Sequence, residues 1–388
     1  MLDSLQERCQ TWLFDKLLDK WATHGLDPVQ GYSYESLTKD WQANPVGRVR
    51  LLTQCRQLYT FSHAYLITGE SRWLDCATPL YDFILANYKI ADRWRFSLND
   101  DLTPLDDSSD CYALAFVLLS LSFYYQASGD KSALEHIKHT DAFLQAEMAA
   151  ENGGFYECYP QKHTSIRRQN PHMHLLEGYV AAYNTSQEPQ YKSRIISLLE
   201  LAKAHFFDVS SNSLREFFNA DWSLDQDTGH QIEPGHHFEW VWLLHQAYKI
   251  HPDPSYLTLA DALWQKAIQY GLDPKGGIYN QIDAKTGDVI DAEKRIWPLT
   301  EYLKAICVQL KDPKEQTGKL LEALDFAFKH YFHADGSWNE YLAENNAAKP
   351  FPLPGTSSYH IFLGLAEVIK WSQSPAINAS SSPKFNKG

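Results

Sequence analysis

No Cys-x-x-Cys spacing occurs in this chain of 388 residues; its six cysteines, at 9, 55, 76, 111, 158 and 307, are scattered. Most fall inside helix-like patterns, where a free thiol behaves as a small hydrophobe, so a reducing compartment, the cytoplasm, is expected. Positive charge is in deficit. Thirty-five Lys and Arg against 48 Asp and Glu leave a net charge of −13, which argues against nucleic acid or an anionic membrane as the main partner. There is no Gly-x-Gly-x-x-Gly fingerprint and no P-loop, so no nicotinamide or nucleotide cradle is read. The opening Met-Leu-Asp-Ser-Leu-Gln-Glu has neither a basic nor an apolar region, and no signal peptide is expected. No run of about 18 uncharged apolar residues is read either, so no bilayer-spanning segment is expected. No Pro/Gly/Ser linker or charge block interrupts the chain before residue 372. One unit over 1–371 is therefore expected, followed by a loose Ser/Pro/Asn/Lys-rich tail over 372–388.

What is present is a repeat. With 44% hydrophobic and 21% charged residues the chain has a globular composition. Short aromatic segments recur: Gly31-Tyr-Ser-Tyr-Glu35, Gly153-Gly-Phe-Tyr-Glu157, Glu216-Phe-Phe-Asn219, Gly276-Gly-Ile-Tyr-Asn280 and Gly336-Ser-Trp-Asn-Glu340. Intervals near 60 residues link the later ones, and Trp94-Arg-Phe96 fits a further copy, so six units fill the chain. Each unit reads as a helical hairpin. The first helix, roughly 2–24, carries Leu5, Cys9, Trp12, Leu13, Leu17 and Trp21 on one stripe and stops at Gly25. Eleven more patterns follow, and the links alternate: short after every even helix, long after every odd one. Short links imply antiparallel neighbours, and the long ones, gathered on one side of a closed toroid, are where binding groups belong. The fold expected is all-α.

Within this repeat a histidine is twice followed three residues later by a glutamate, His174–Glu177 and His236–Glu239, 62 residues apart. That spacing puts each pair on one helix face, and matched positions in neighbouring units bring both pairs toward one axis. The polar residues near the starts of the even helices form the candidate site: Arg56, Asp110 with Tyr112, Asn170 with His174 and Glu177, His236 with Glu239, Glu301, and His360. Each has a plainer reading. Arg56 can pair with a carboxylate at a packed interface, Glu301 can pair with Lys304, and His360 can be a satisfied core histidine. The loop aromatics Tyr32, Tyr34, Trp94, Phe96, Tyr156 and Trp338 are candidates for stacking on a sugar, or simply pack the loops down.

Asn170-Pro-His-Met-His174-Leu-Leu-Glu177, Pro234-Gly-His-His-Phe-Glu239-Trp and Arg295-Ile-Trp-Pro-Leu-Thr-Glu301 resemble the N-acylglucosamine 2-epimerase superfamily over nearly the whole chain. The resemblance implies an (α/α)6 barrel, no essential metal or other cofactor, and a monosaccharide substrate. It places Arg56 on a substrate-binding arginine, Tyr112 and Asn170 on sugar-contacting positions, and His174 on an active-site histidine; Glu177 and Glu301 are added to this binding set. It places His236 and His360 on two acid/base histidines, with Glu239 supporting His236. One departure is that Leu51-Leu-Thr-Gln-Cys-Arg56 lacks a tryptophan often found before the arginine.

These residue types suit proton transfer beside a carbonyl. A histidine can hold or release a proton near neutrality, and an enediolate oxygen needs the positive charge or donors that Arg56, His174 and a protonated His236 can supply. The expected reaction interconverts D-mannose and D-fructose through a cis-enediol, His236 serving the sugar oxygens and His360 moving the proton between C2 and C1. The alternatives are a sugar 2-epimerase (mannose/glucose, cellobiose or N-acylglucosamine), a sulfoquinovose isomerase and an inverting glycoside hydrolase using two of Glu177, Glu239 and Glu301. A non-catalytic sugar-binding protein is a further one. His174, Glu177, His236, Glu239 and His360 have metal-ligand chemistry, but a metal is not expected. Segment 339–355 is read as able to close over the sugar, and a monomer and a homodimer are equally compatible with the sequence.

Overall fold

The computed structural model describes residues 2–161 and 166–374. Twelve helices form among the described residues. Helix α1 runs Leu2–Trp12, widens into a π-type stretch Leu13–Leu18 and ends as Asp19–His24. Then come α2 (Leu51–Thr68), α3 (Ser71–Tyr88), α4 (Cys111–Ser128) and α5 (Lys131–Phe143, widened over Leu144–Met148). Next are α6 (Gln169–Ser186), α7 (Pro189–Leu201, widened over Ala202–Phe206) and α8 (Pro234–Ile250). Last are α9 (Pro254–Lys266, widened over Ala267–Gly271), α10 (Ile296–Gln309), α11 (Pro313–His330) and α12 (Gly355–Ser372).

Even-numbered helices pack side by side in chain order, and α12 returns to α2, so they close an inner ring; the odd helices lie outside it. This is the (α/α)6 barrel. Local chemistry explains the tight corners. Gly69 and Gly129 follow α2 and α4 in the left-handed conformation (φ 71° and 74°), which glycine adopts at no steric cost. Asp130, Asp253 and Asp312 then cap the next helix, each side chain accepting from a backbone N–H inside it. The inner helices lie close together: a Cβ on Gly178 of α6 would sit 2.7 Å from the Ala115 carbonyl oxygen of α4.

Helix α4 carries no charged residue over 18 positions, enough by length and composition to cross a bilayer. The sequence reading passed over it because Ser, Tyr and Gln interrupt the apolar run. In the fold it is an inner-ring helix, covered by its neighbours α2 and α6 and mostly buried.

Short strands, not anticipated from the sequence, organise the long links. The residues entering each inner helix pair antiparallel with the segment that follows the next outer helix. Val49–Arg50 pairs with Ser97–Leu98, Ser109–Asp110 with Cys158–Tyr159, and Ile166–Arg168 with Phe217–Asn219. Gln231–Ile232 pairs with Gln281–Asp283, Lys294–Arg295 with Tyr341–Leu342, and Leu353–Pro354 returns to Ser36–Leu37. The last pairing joins the end of the chain to its start. With only two or three residues each, these strands leave too short an alternation to read in a sequence.

Helix α12 runs to Ser372, which is buried and donates its hydroxyl to the Ile369 carbonyl. A loose tail therefore does not begin at 372, and the rest of the expected tail, 375–388, lies outside the described residues.

Candidate active site

The first two turns of the inner helices meet at one end of the ring. Arg56 on α2 is buried; its guanidinium donates to the Thr356 carbonyl at 3.0 Å and the Tyr112 hydroxyl at 2.7 Å, and lies 4.3 Å from the Phe116 ring centre. Among the described residues no carboxylate pairs with it, so the interface-pairing reading does not apply. Tyr112 stands on the first turn of α4, edge-on to the His174 ring. Asn170, on the first turn of α6, has a buried side-chain oxygen with no hydrogen-bond partner among the described residues.

The two His–Glu pairs differ. His174 Nδ1 lies 3.1 Å from Glu177 Oε2, and the Tyr359 hydroxyl donates to both Glu177 oxygens at 2.7 Å. Burial outweighs this partner and pushes the His174 pKa down to about 4, so the ring is neutral. His236 does not use Glu239. Its Nδ1 faces Glu216, at 3.0 and 3.1 Å from the two carboxylate oxygens, with a Glu233 oxygen at 3.7 Å. The expected support of His236 by Glu239 is thus corrected for the hydrogen bond, which goes to Glu216; the Glu239 charge is left as a smaller influence favouring the cation. A helical spacing of three fixes a shared face, but here the ring turns away from its own helix toward the preceding loop. Burial disfavours a cation at His236, yet the charges of Glu216 and Glu233 prevail and raise its pKa to about 10. With Nδ1–H given to Glu216, Nε2 of a cationic ring is left to donate.

His360 is the opposite case. Its Nδ1 lies 2.9 Å from Glu301 Oε1, while Glu301 Oε2 faces Lys304 Nζ at 2.6 Å. Glu301 therefore does pair with Lys304, and holds His360 as well. Burial, reinforced by the charges of Arg56 and Lys304, drives the His360 pKa well below the ordinary value and leaves a neutral ring; with Nδ1–H given to Glu301, its Nε2 carries no proton. Trp297 is in ring contact with both imidazoles, 4.9 Å from His236 and 5.8 Å from His360 by ring centres.

Glu239 is buried, 3.7 Å from His174 Nε2, and neither of its oxygens has a hydrogen-bond partner among the described residues. Burial and the nearby Glu301 and Glu177 raise its pKa well above the ordinary value. Donor atoms of His174, Glu177 and Glu239, and of Glu239, Glu301 and His360, lie within 4.8 Å of one another, so either set can reach a divalent ion. In the second set the Lys304 ammonium already supplies positive charge beside Glu301.

His172 and His237, neighbours of these groups in sequence, serve the backbone. His172 Nε2 accepts from Phe155 N–H at 2.9 Å and its Nδ1 faces the Arg168 carbonyl; His237 Nε2 accepts from Leu214 N–H at 3.2 Å and its Nδ1 faces the Glu233 carbonyl. Among the loop aromatics, Trp94 bonds Thr140 Oγ1, Trp338 bonds Glu340, Tyr34 bonds Asp27 and Tyr32 stacks on Phe83. Trp94 and Tyr32 thereby hold their loops against outer helices, Trp338 and Tyr34 bond within their own loops, and Phe96 and Tyr156 are half-buried. Segment 339–355 is a hairpin, Tyr341–Leu342 against Ala348–Lys349, pinned to Lys294–Arg295 and by Asn346 to the Lys275 carbonyl. Sequence reasoning missed Glu216, Tyr359 and Trp297 as site residues. Only Glu216 left a signal, since it opens the fourth repeated segment where sister units carry Glu35, Glu157 and Glu340.

A sequence profile of the N-acylglucosamine 2-epimerase family matches residues 31–364. The D-mannose isomerase of Marinomonas mediterranea is 27% identical over 366 residues, covering 89% of this chain and 92% of that one. The mannose-6-phosphate isomerase of Rhizobium meliloti is 27% identical, covering 92% of this chain and 95% of its own length. The solved structure of the cellobiose 2-epimerase from Spirochaeta thermophila superposes with a TM-score of 0.85 at 24% identity, covering 96% and 97% of the two chains. The chain belongs to the N-acylglucosamine 2-epimerase family of sugar isomerases and epimerases.

Proposed function

We propose that the protein is a metal-independent aldose–ketose isomerase that interconverts D-mannose and D-fructose through a cis-enediol. The observation that carries this reading is the different protonation of two imidazoles that both contact Trp297: His236 cationic, His360 neutral. Titratable groups whose surroundings drive them apart mark an acid and a base. In the open-chain aldose, His360 Nε2 takes the C2 proton while His236 Nε2 gives a proton to O1, forming the enediol. His360 then returns its proton to C1 as His236 recovers one from O2. Both histidines end as they began, and a single base suffices because the proton leaves and returns on one face. Arg56 and Tyr112 supply donors for the hydroxyls, and Asn170, with its unpartnered oxygen, a further contact. Glu177 and Glu301 orient His174 and His360 from behind.

The choice of mannose rests on the D-mannose isomerase likeness. Proton NMR in deuterated water with EDTA-treated protein tests it, using mannose, glucose, fructose, cellobiose, N-acetylglucosamine and sulfoquinovose. Fructose formed from mannose with deuterium incorporation is the expected result. Glucose from mannose, with deuterium at C2 and no early fructose, would make it an epimerase. Turnover only after a divalent ion is restored would overturn metal independence, and cleavage of cellobiose would point to a hydrolase.

A further inference from the structure

The segments leading into the inner helices share one device. In the first unit Glu35 accepts the backbone N–H of Arg50, the residue before α2, and its second oxygen takes the Arg50 guanidinium at 3.0 and 2.6 Å. In the third unit Glu157 accepts the N–H of Arg168 at 2.9 Å and its guanidinium at 2.9 Å through Nε. In the fifth, Asn280 accepts the N–H of Arg295 at 3.2 Å. These are struts, joining each aromatic segment to the helix it precedes.

The fourth unit keeps the strut and changes its chemistry. Glu216 again accepts a backbone N–H from the residue before the helix, at 3.4 Å, but that residue is Glu233 where three sister units carry arginine. With no guanidinium to bind, the Glu216 carboxylate turns to His236 Nδ1. It is held there by the Gln169 amide at 2.8 Å, whose own oxygen accepts from Trp240 Nε1 at 2.8 Å. The Glu233 carboxylate stands 3.7 Å from the same ring nitrogen.

We propose that the exchange of arginine for Glu233 converts a structural strut into a proton-holding relay. In it Glu216 and Glu233 are positioning residues that act through Nδ1 and keep His236 a donor at Nε2. The proposal rests on the isomerase reading for its kinetic readout, though not for its spectroscopic one. Other charged or titratable groups face His236 from every side. Its own helix adds Glu239 and His237, α6 adds His174, the strand before α10 adds Arg295 beside Glu233, and α12 adds His360, which also contacts Trp297. Burial and the neighbouring Glu216 raise the Glu233 pKa above the ordinary carboxylate range, while His236 and Arg295 oppose them.

The test uses the full chain labelled with ¹⁵N-histidine, the His236 signal being assigned by its loss in His236→Asn. In the wild type His236 is expected to remain cationic through pH 8. In Glu216→Gln it should titrate near the ordinary value of about 6.5, and in Glu233→Gln between the two. At pH 8 the first variant should lose about thirty-fold in kcat/KM, as only about 3% of a histidine of ordinary pKa is protonated there, and recover most of it at pH 6. A displaced ring would lose activity equally at both pH values. Equal loss, or a wild-type His236 that titrates near 6.5, overturns the proposal. Glu233 is a quarter exposed at its side chain where Glu216 is buried, so Glu233→Gln keeps the test open should Glu216→Gln misfold. Absence of turnover with any sugar would sink the isomerase reading alone, because the NMR titration still decides the relay.

Discussion

Lys304→Met removes one charge and little volume, and the site predicts its cost. Lys304 is fully buried, its ammonium 2.6 Å from Glu301 and 4.3 Å from the Trp242 ring centre. Burial disfavours its charge, yet Glu301, Glu239 and Glu177 together raise its pKa above the ordinary value. Without it, three buried carboxyl groups, Glu177 on α6, Glu239 on α8 and Glu301 on α10, lose the cation they share. Breaking a buried pair by removing one partner costs about 3–5 kcal/mol. Spread over an unfolding entropy of about 0.8 kcal/mol/K for a chain of this length, that is a fall in Tm of about 4–6 °C. The pH dependence has a definite sign. In the variant the carboxyls hold protons more tightly folded than unfolded, where they titrate near 4.3. The folded state then binds more protons at neutral pH, and stability falls as pH rises. The deficit should therefore be largest at pH 8 and shrink toward pH 5. Thermal melts of both proteins at the two pH values measure it; a loss under about 1 kcal/mol that does not change with pH refutes the reasoning.

Other substitutions test single contacts. His360→Asn keeps a donor for Glu301 but removes the base, so C2 deuterium exchange should fall about 10²–10⁴-fold with KM within a few fold; exchange at the wild-type rate would remove His360 from the chemistry. Tyr359→Phe takes from Glu177 its only tyrosine donor and should cost about 1–3 kcal/mol in urea unfolding, with no cost if Glu177 is otherwise satisfied. Trp94→Phe should leave KM for the sugar unchanged, since Trp94 bonds Thr140 in the outer layer; a rise of tenfold would return it to the sugar pocket.

Helix number, order and pairing were legible because the repeat, the Gly69 and Gly129 stops and the alternating link lengths are local signals. The site residues were legible in part, since Arg56, Tyr112, Asn170, His174, Glu177, Glu301 and His360 all lie near the starts of consecutive inner helices. What failed was partner choice. His236 and Glu239 share a helix face by spacing, but which carboxylate a ring meets depends on its rotamer and on a loop 20 residues upstream, where Glu216 waits. The loop aromatics stayed open between sugar platform and loop packing for a related reason: composition suits both, and contacts such as Trp94 with Thr140 and Tyr32 with Phe83 show only in three dimensions. The bilayer-length stretch of α4 was missed because hydroxyl-bearing residues dilute it.

All six inner helices begin at the end of the ring that holds the site. Each helix start carries roughly half a positive charge from its unpaired N–H groups, so the bowl floor sits in the summed field of six aligned dipoles. Such a field helps explain how Glu177, Glu216, Glu239 and Glu301 can be buried within one small region. It is also broad. Negative charge developing at O1 or at O2 of a bound sugar feels nearly the same potential, so the scaffold welcomes an oxyanion without choosing the carbon beside it. On the proposed mechanism, that choice falls to the short reach of the two imidazoles rather than to the barrel.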